Sequence, residues 1–310
     1  IAGDPPRREE FSEKLPAHRS ELFAESIARF PEEQAAVLET AALIEGDIAV
    51  EVLERLYGDA DLLDDALDRF ETDGLGEAVD TDLTLYRFRT ESARAAVMTA
   101  FEGRGRRALL RRRRQLAKVL IELQGDLPER AGSIGRLLLE AGQAIQAVDY
   151  LLPALERRLR QGRYVEGKEL VESIDRAISD DAVLSQDDQG LYLLSAARVF
   201  ISLGKPEVSE KFLLQIEAGS EDEIYLQKQI LQSEICDRKG YAEDSIEILE
   251  QLRETVERSG TSQIAQNFQN QLGSGFSKLG RFDEAVQEYL KGIRIAEEMD
   301  DELGQAGLLN

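Results

Sequence analysis

The segment Leu272-Gly273-Ser274-Gly275-Phe276-Ser277-Lys278-Leu279-Gly280-Arg281-Phe282-Asp283-Glu284-Ala285-Val286-Gln287-Glu288-Tyr289 decides the fold. Apolar residues recur at helical spacing on both sides of Gly280, which predicts a helix, a glycine turn and a second helix. Ala285, five positions past the glycine, is small enough to let the two helices approach. Tyr289, four further on, fills the space between them. Moved back along the chain, the same pattern meets Gly240-Tyr241, Ser245 and Leu249, then Gly204-Lys205-Pro206, Ser209 and Leu213, then Gly162-Arg163-Tyr164, Gly167 and Val171. Gly142 with Ala147 and Leu151 gives a weaker earlier unit. One such helix pair cannot bury its own apolar face, so pairs must stack on one another. Residues 142–310 are therefore expected to form a helical-repeat array. Glu302-Leu303-Gly304 and Leu308-Leu309-Asn310 look like the start of a further first helix, so the array is expected to continue past Asn310.

The first third of the chain is organised differently. Residues 1–17, with Pro5, Pro6, Pro16 and dense charge, predict a linker. A helix is expected from Ser20 to Phe30, stopped by Pro31, which opens a second helix carrying Ala35, Val37, Leu38, Ala41, Ala42 and Ile44. A third short helix is expected to hold Ile48, Val52, Leu53 and Leu56 and to end at Gly58. A fourth runs from about Asp59 to Thr72 with Leu62, Leu63, Ala66, Leu67 and Phe70 on one stripe. Then the period changes to that of strands. Gly76–Val79 and Leu83–Phe88 flank the turn Asp80-Thr81-Asp82, a predicted hairpin and the only strands expected. Three helices followed by a hairpin are the parts of a winged helix, placed over 18–102. Connecting helices follow over 103–141, interrupted near Gly125 and Pro128.

Composition narrows the functions. The 310 residues carry a net charge of −23, with 42% hydrophobic and 32% charged residues. Carboxylates repel phosphates, so nucleic acid and anionic membranes are unlikely general partners. No run approaches the ~18 apolar residues that cross a bilayer. The start, Ile1 to Glu10, has no apolar stretch of a signal peptide. A first residue other than Met and a last residue inside a helical pattern suggest a piece of a longer protein. One cysteine, Cys236, fits a reducing cytoplasm and gives no disulfide scaffold. His18 is the sole histidine, and with Cys236 as the sole cysteine about 200 residues away, neither a zinc set nor a Cys–His dyad has enough ligands. No Gly-x-x-x-x-Gly-Lys-Ser/Thr run occurs. Gly273-Ser274-Gly275…Gly280 imitates a phosphate loop, but the repeat pattern accounts for Gly273 and Gly280 and leaves only Gly275 over. No cofactor, metal or catalytic residue is expected.

The unit Leu272-Gly273…Phe276…Gly280…Phe282…Ala285…Tyr289 resembles the tetratricopeptide repeat, and the earlier units, at 36–42-residue spacing, resemble its longer-helix version. The run Leu15-Pro16…Phe30-Pro31-Glu32-Glu33-Gln34…Val37 to Leu43, with Tyr86-Arg87-Phe88-Arg89 and the arginine-rich helix after it, resembles the winged-helix segment that follows the ATPase core of STAND-class bacterial signalling ATPases. That family places tetratricopeptide-like repeats after the winged helix. The resemblance implies a non-catalytic regulatory region. Its repeats would bind a protein or peptide, and its winged helix would couple binding to an ATPase domain earlier in the same polypeptide.

Three sets of residues stand out. In the array the first helix of each pair lines the concave side. That places Asn267, Asn270, Ser274, Ser277 and Lys278 of the last unit on a candidate groove, with Gln227, Glu234, Asp237 and Arg238 of the preceding one. Arg104, Arg106, Arg107, Arg111, Arg112, Arg113 and Arg114 form a basic run, read either as a docking patch for an acidic or phosphate-bearing partner or as a solvated face. Four consecutive arginines span all sides of a helix, so some must touch protein. Asp61, Asp64, Asp65, Asp68 and Glu71 coat the helix before the hairpin, where a DNA-reading helix would lie. Such a face is repelled by phosphates, which argues against the alternative of a DNA-binding regulator.

Overall fold

The computed structural model describes residues 23–298, apart from 104, 181, 218, 220, 221 and 260 and the side chains at 259 and 262. The expected linker, His18, Arg104 and the segment beyond 298 lie outside the described residues. The described chain is mainly helical and divides into two compact units, 1–151 and 152–310.

In the first unit, residues 23–27 are helical. Pro31 then caps α1 (Glu32–Ala42), which buries Ala35, Val37, Leu38, Ala41 and Ala42. β1 (Ile48–Ala49) leads into α2 (Val50–Tyr57), which ends on Gly58 in the left-handed conformation. α3 (Ala60–Thr72) starts at Asp59, whose carboxylate accepts from the Leu62 amide. β2 (Gly76–Ala78) and β3 (Leu85–Phe88) complete a three-stranded antiparallel sheet in the order β1-β3-β2. The turn before β3 is tied by the Asp80 carboxylate, which accepts from the amides of Thr84 at 2.9 Å and Leu85 at 3.0 Å.

One expectation fails here. Ile48 does not begin the third helix, and the hairpin strands are not alone. Ile48 pairs with Tyr86 and is fully buried. This pairing spans a long stretch of chain, so a local helical period cannot reveal it. Beneath the sheet Phe70 is fully buried, edge-on to Phe88 with ring centroids 4.8 Å apart. Gly76 lies against Phe70, and a Cβ there would sit 1.8 Å from the ring. α4 (Glu91–Glu102), α5 (Arg106–Gln124) and α6 (Ala131–Glu140) follow. Glu45 anchors the loop before β1 to α6. Its carboxylate takes two hydrogen bonds from Arg136, one at 2.9 Å, while Arg130 donates to the Glu45 and Asp47 carbonyls. Burial pushes the Glu45 carboxyl up, but the bonds and charge of Arg136, with Ser133 and Arg94, outweigh it and hold the group below its ordinary range.

The division between units falls within α7 (Ala144–Arg160). The second unit continues with α8 (Tyr164–Ser179), α9 (Gln186–Ser202), α10 (Pro206–Leu213), α11 (Glu223–Arg238), α12 (Ala242–Ser259), α13 (Ser262–Lys278) and α14 (Phe282–Glu298). The glycine pattern marks hairpins here. Gly240 and Gly280 adopt φ of 88° and 73°, which only glycine takes without strain. After each, the next amide reaches back to the last turn: Tyr241 N donates to the Cys236 carbonyl, and Arg281 N to that of Phe276, both at 2.9 Å. This is the Schellman turn that closes a helix on glycine. The same bond recurs at Gln143, Arg163 and Lys205. The residue at this point then accepts from the amide four positions on, as Arg281 does from Ala285, and so opens the second helix.

Across these hairpins the residue seven before the glycine meets the residue five or nine after it, and their sizes trade off. Leu155 faces Gly167, and Ala197 faces Ser209, whose hydroxyl donates to the Ala197 carbonyl at 2.8 Å. Gly273 makes room for Tyr289, whose ring a Cβ there would approach to 2.5 Å. In the first unit Gly135 likewise accommodates Leu151. Gly275, which the repeat pattern leaves over, has a packing role as well: a Cβ would lie 2.9 Å from Ile246 of the preceding hairpin.

Candidate functional site

The groove residues lie on α11 and α13, each the first helix of a hairpin. α13 begins at Thr261, whose hydroxyl caps the Ile264 amide, and buries Ile264, Phe268, Leu272 and Phe276. α11 buries Leu226, Ile230, Leu231 and Ile235. Those apolar faces turn the polar residues to the other side of each helix. Asn270, Lys278 and Arg238 are exposed, while Gln227, Glu234, Asn267, Ser274 and Ser277 are half-buried.

Asp237 departs from the groove assignment. Its side chain is only 1% exposed, so it is not an open groove residue. The physical reason is the stacking of α13 on α11. One carboxylate oxygen takes the Gln271 amide at 2.8 Å, the Lys278 ammonium at 3.2 Å and the Ser274 hydroxyl at 3.4 Å. The other has no hydrogen-bond partner among the described residues. Three predicted groove residues, Asp237, Ser274 and Lys278, thus form one polar clamp between neighbouring hairpins. Gln271, which the repeat pattern does not single out, belongs with them. Arg238 and Glu234 pair along their own helix at 2.8 Å, and Asn267 accepts from Gln263 at 3.4 Å. Asn270, Ser277 and Gln227 remain as the residues of the stripe that no such bond engages among the described residues.

A second buried carboxylate, Glu288, joins α12 to α14. It accepts from Lys291 at 2.9 Å and lies 3.5 Å from Arg253, which also bonds Glu250. Arg253 holds the Glu250 carboxyl below its ordinary range through these hydrogen bonds, against the opposing effect of burial. Tyr289 is pushed up by burial and then by the charge of Asp237. Burial also raises the Cys236 thiol, with Asp244 adding to it, so no thiolate is prepared for chemistry there. Among the described residues no group of His, Cys, Asp and Glu could hold a metal ion, and no helix is long and apolar enough to cross a membrane.

The basic run divides. Arg104 lies outside the described residues. Arg112 donates to the Tyr57 hydroxyl at 2.8 Å, Arg113 pairs with Glu140 at 2.9 Å, and Arg114 donates to the Ala141 carbonyl at 3.0 Å. These three hold α5 to its neighbours. Arg106, Arg107 and Arg111 are exposed and form no ion pair among the described residues. On α3, Asp61, Asp64, Asp65 and Asp68 are exposed, whereas Glu71 is taken up by the sheet, accepting from the Ala78 amide at 2.7 Å.

No family model matches the chain, and no curated protein matches it. Among solved structures it is similar to a Signal Transduction ATPase with Numerous Domains protein with a tetratricopeptide repeat sensor from Pyrococcus horikoshii, at 12% identity and a TM-score of 0.42. That likeness covers 98% of this chain and 48% of the other, so the chain spans about half the length of the protein it resembles.

Proposed function

We propose that this chain is a non-catalytic interaction and relay region of a bacterial cytoplasmic signalling ATPase or kinase, in which residues 18–102 act as a winged helix and the hairpins from 142 onward act as tetratricopeptide-like repeats. The observation that carries the reading is the polar stripe of α11 and α13: two neighbouring first helices present exposed or half-exposed amides and hydroxyls, at Gln227, Asn270 and Ser277. Such groups donate to and accept from a peptide backbone. The winged-helix assignment is supported by the order of α1, α2, α3 and the β2–β3 pair, with β1 as the added strand. The exposed acids of α3 would repel DNA, so α3 is read as a surface that packs on protein, namely a nucleotide-binding domain of the same polypeptide.

The test is a pull-down and a regulation assay on the full-length protein. Asn270→Asp with Ser277→Arg is expected to release the partner that the wild type retains and to uncouple regulation, without change in helix content by circular dichroism. A wild type that retains nothing, together with intact regulation in the double variant, would sink the reading. A salt-sensitive mobility shift with duplex DNA would move it to transcriptional regulation.

A further inference from the structure

Two recesses flank the N-terminal half of α9, and neither contains a residue of the α11–α13 stripe. The first, about 530 Å³, has Ala182, Tyr192, Leu193 and Phe212 among its lining. Its wall is held in place: the Tyr192 hydroxyl donates to the Asp175 carboxylate at 2.5 Å, and the Phe212 ring lies edge-on to Tyr192 and stacks on Phe200 at 5.5 Å. An aliphatic side chain of its lining, Val183, stands open at 88% exposure. The second recess, about 810 Å³, shares Gln189, Leu193 and Gln215 with the first, so the two adjoin. Asp187, Glu217, Asp222 and Glu223 line it. With Asp175 in the first, the pair presents five carboxylates among the described residues, and no described lysine or arginine lines either. The Gln189 side-chain amide makes no hydrogen bond among the described residues, while its backbone amide donates to the Ser185 carbonyl.

We propose that these adjoining recesses are a second docking surface, for a peptide segment of a partner protein that alternates aliphatic with lysine or arginine residues. The apolar recess takes an aliphatic side chain and covers Val183, which water now solvates at a cost proportional to its area. The acidic recess receives the neighbouring cations, and complementary charge fixes the direction of the segment. Gln189 supplies an amide to its backbone. Other parts of this acidic chain attract cations too, so the aliphatic anchor is what distinguishes this surface from general attraction.

The experiment is fluorescence anisotropy of the 310-residue chain at physiological ionic strength, with a short labelled leucine/lysine peptide and its leucine/glutamate counterpart. Saturable binding of the first and none of the second is expected. Val183→Ser, a substitution at an exposed site that spares the fold, should weaken binding at least about tenfold, equivalent to about 1.4 kcal/mol. Asp187→Asn should weaken it less, and Asp64→Asn on α3 should leave it unchanged. Absence of saturable binding, indifference to Val183→Ser, or an equal loss with Asp64→Asn would each overturn the proposal. The α11–α13 reading is unaffected by any of these results, because none of its residues is altered.

Discussion

The sheet region of the first unit and the hairpins of the second bury their cores by opposite routes. Around Phe70 the packing is assembled from distant segments: Ile48 pairs with Tyr86, Gly76 lies under the Phe70 ring, and Phe88 closes its edge. In the α13–α14 hairpin the contacts that matter lie within residues 272–289, where Gly280 makes the turn and Gly273 seats Tyr289. The first region depends on pairings between residues distant in sequence, whereas the second closes on bonds between near neighbours. Local contacts of this kind lower the loop-closure cost of folding.

The largest expected effect tests the separation of the two regions. Phe70→Ala should destabilise the chain by about 3–5 kcal/mol, the cost of an emptied aromatic site. Hydrogen exchange should show protection lost at the Val79 and Arg89 amides while amides of α13 and α14 keep theirs. Equal loss in both would mean that the regions unfold as one. A smaller effect tests the size trade-off within a hairpin. Gly273→Ser should cost about 1–3 kcal/mol in denaturant unfolding, because its Cβ enters the Tyr289 ring. Adding Tyr289→Leu transplants the Ser233/Leu249 combination of the neighbouring hairpin and should recover much of that loss. A double variant no better than the single one would break the rule. The smallest effect concerns Glu45. Its carboxyl is depressed in the folded chain, so its contribution is present above the unfolded value of about 4.3 and is lost as pH falls through the folded one. Glu45→Gln should therefore flatten the acid limb of the stability profile below about pH 4 and leave α13–α14 untouched. An acid limb identical to the wild type would remove Glu45 from that role.

The same contrast explains what could be read from the sequence. Hinge glycines were legible because a Schellman turn needs one left-handed residue at one place, and the small and large residues around it lie at fixed offsets. The α1–α3 helices and the β2–β3 strands were legible from their periods and from Pro31, Gly58 and the Asp80 turn. β1 was not, because two residues carry no period and their partner lies in β3. Periodicity put Asp237 with the open polar residues of α11 and said nothing of the Lys278, Gln271 and Ser274 that cover it from the next hairpin. The role of Gly275 against Ile246 was hidden for the same reason. The arginine run required some members to touch protein, but only the positions of Tyr57, Glu140 and Ala141 say that these are Arg112, Arg113 and Arg114.

The hinges also set where this chain can change length. Residues 141–143, 161–163, 203–205, 239–241 and 279–281 join their helices with three residues each, whereas the stretches 180–185, 214–222 and 260–261 differ in length. An insertion of one residue at a hinge would rotate the following helix by about 100° and turn its apolar face outward. The joints between hairpins, from two to nine residues long, keep no fixed spacing. Descendants of this sequence are therefore free to lengthen between hairpins and are held to fixed spacing inside them, which makes the gaps between repeats the natural places to splice in a new loop or a reporter.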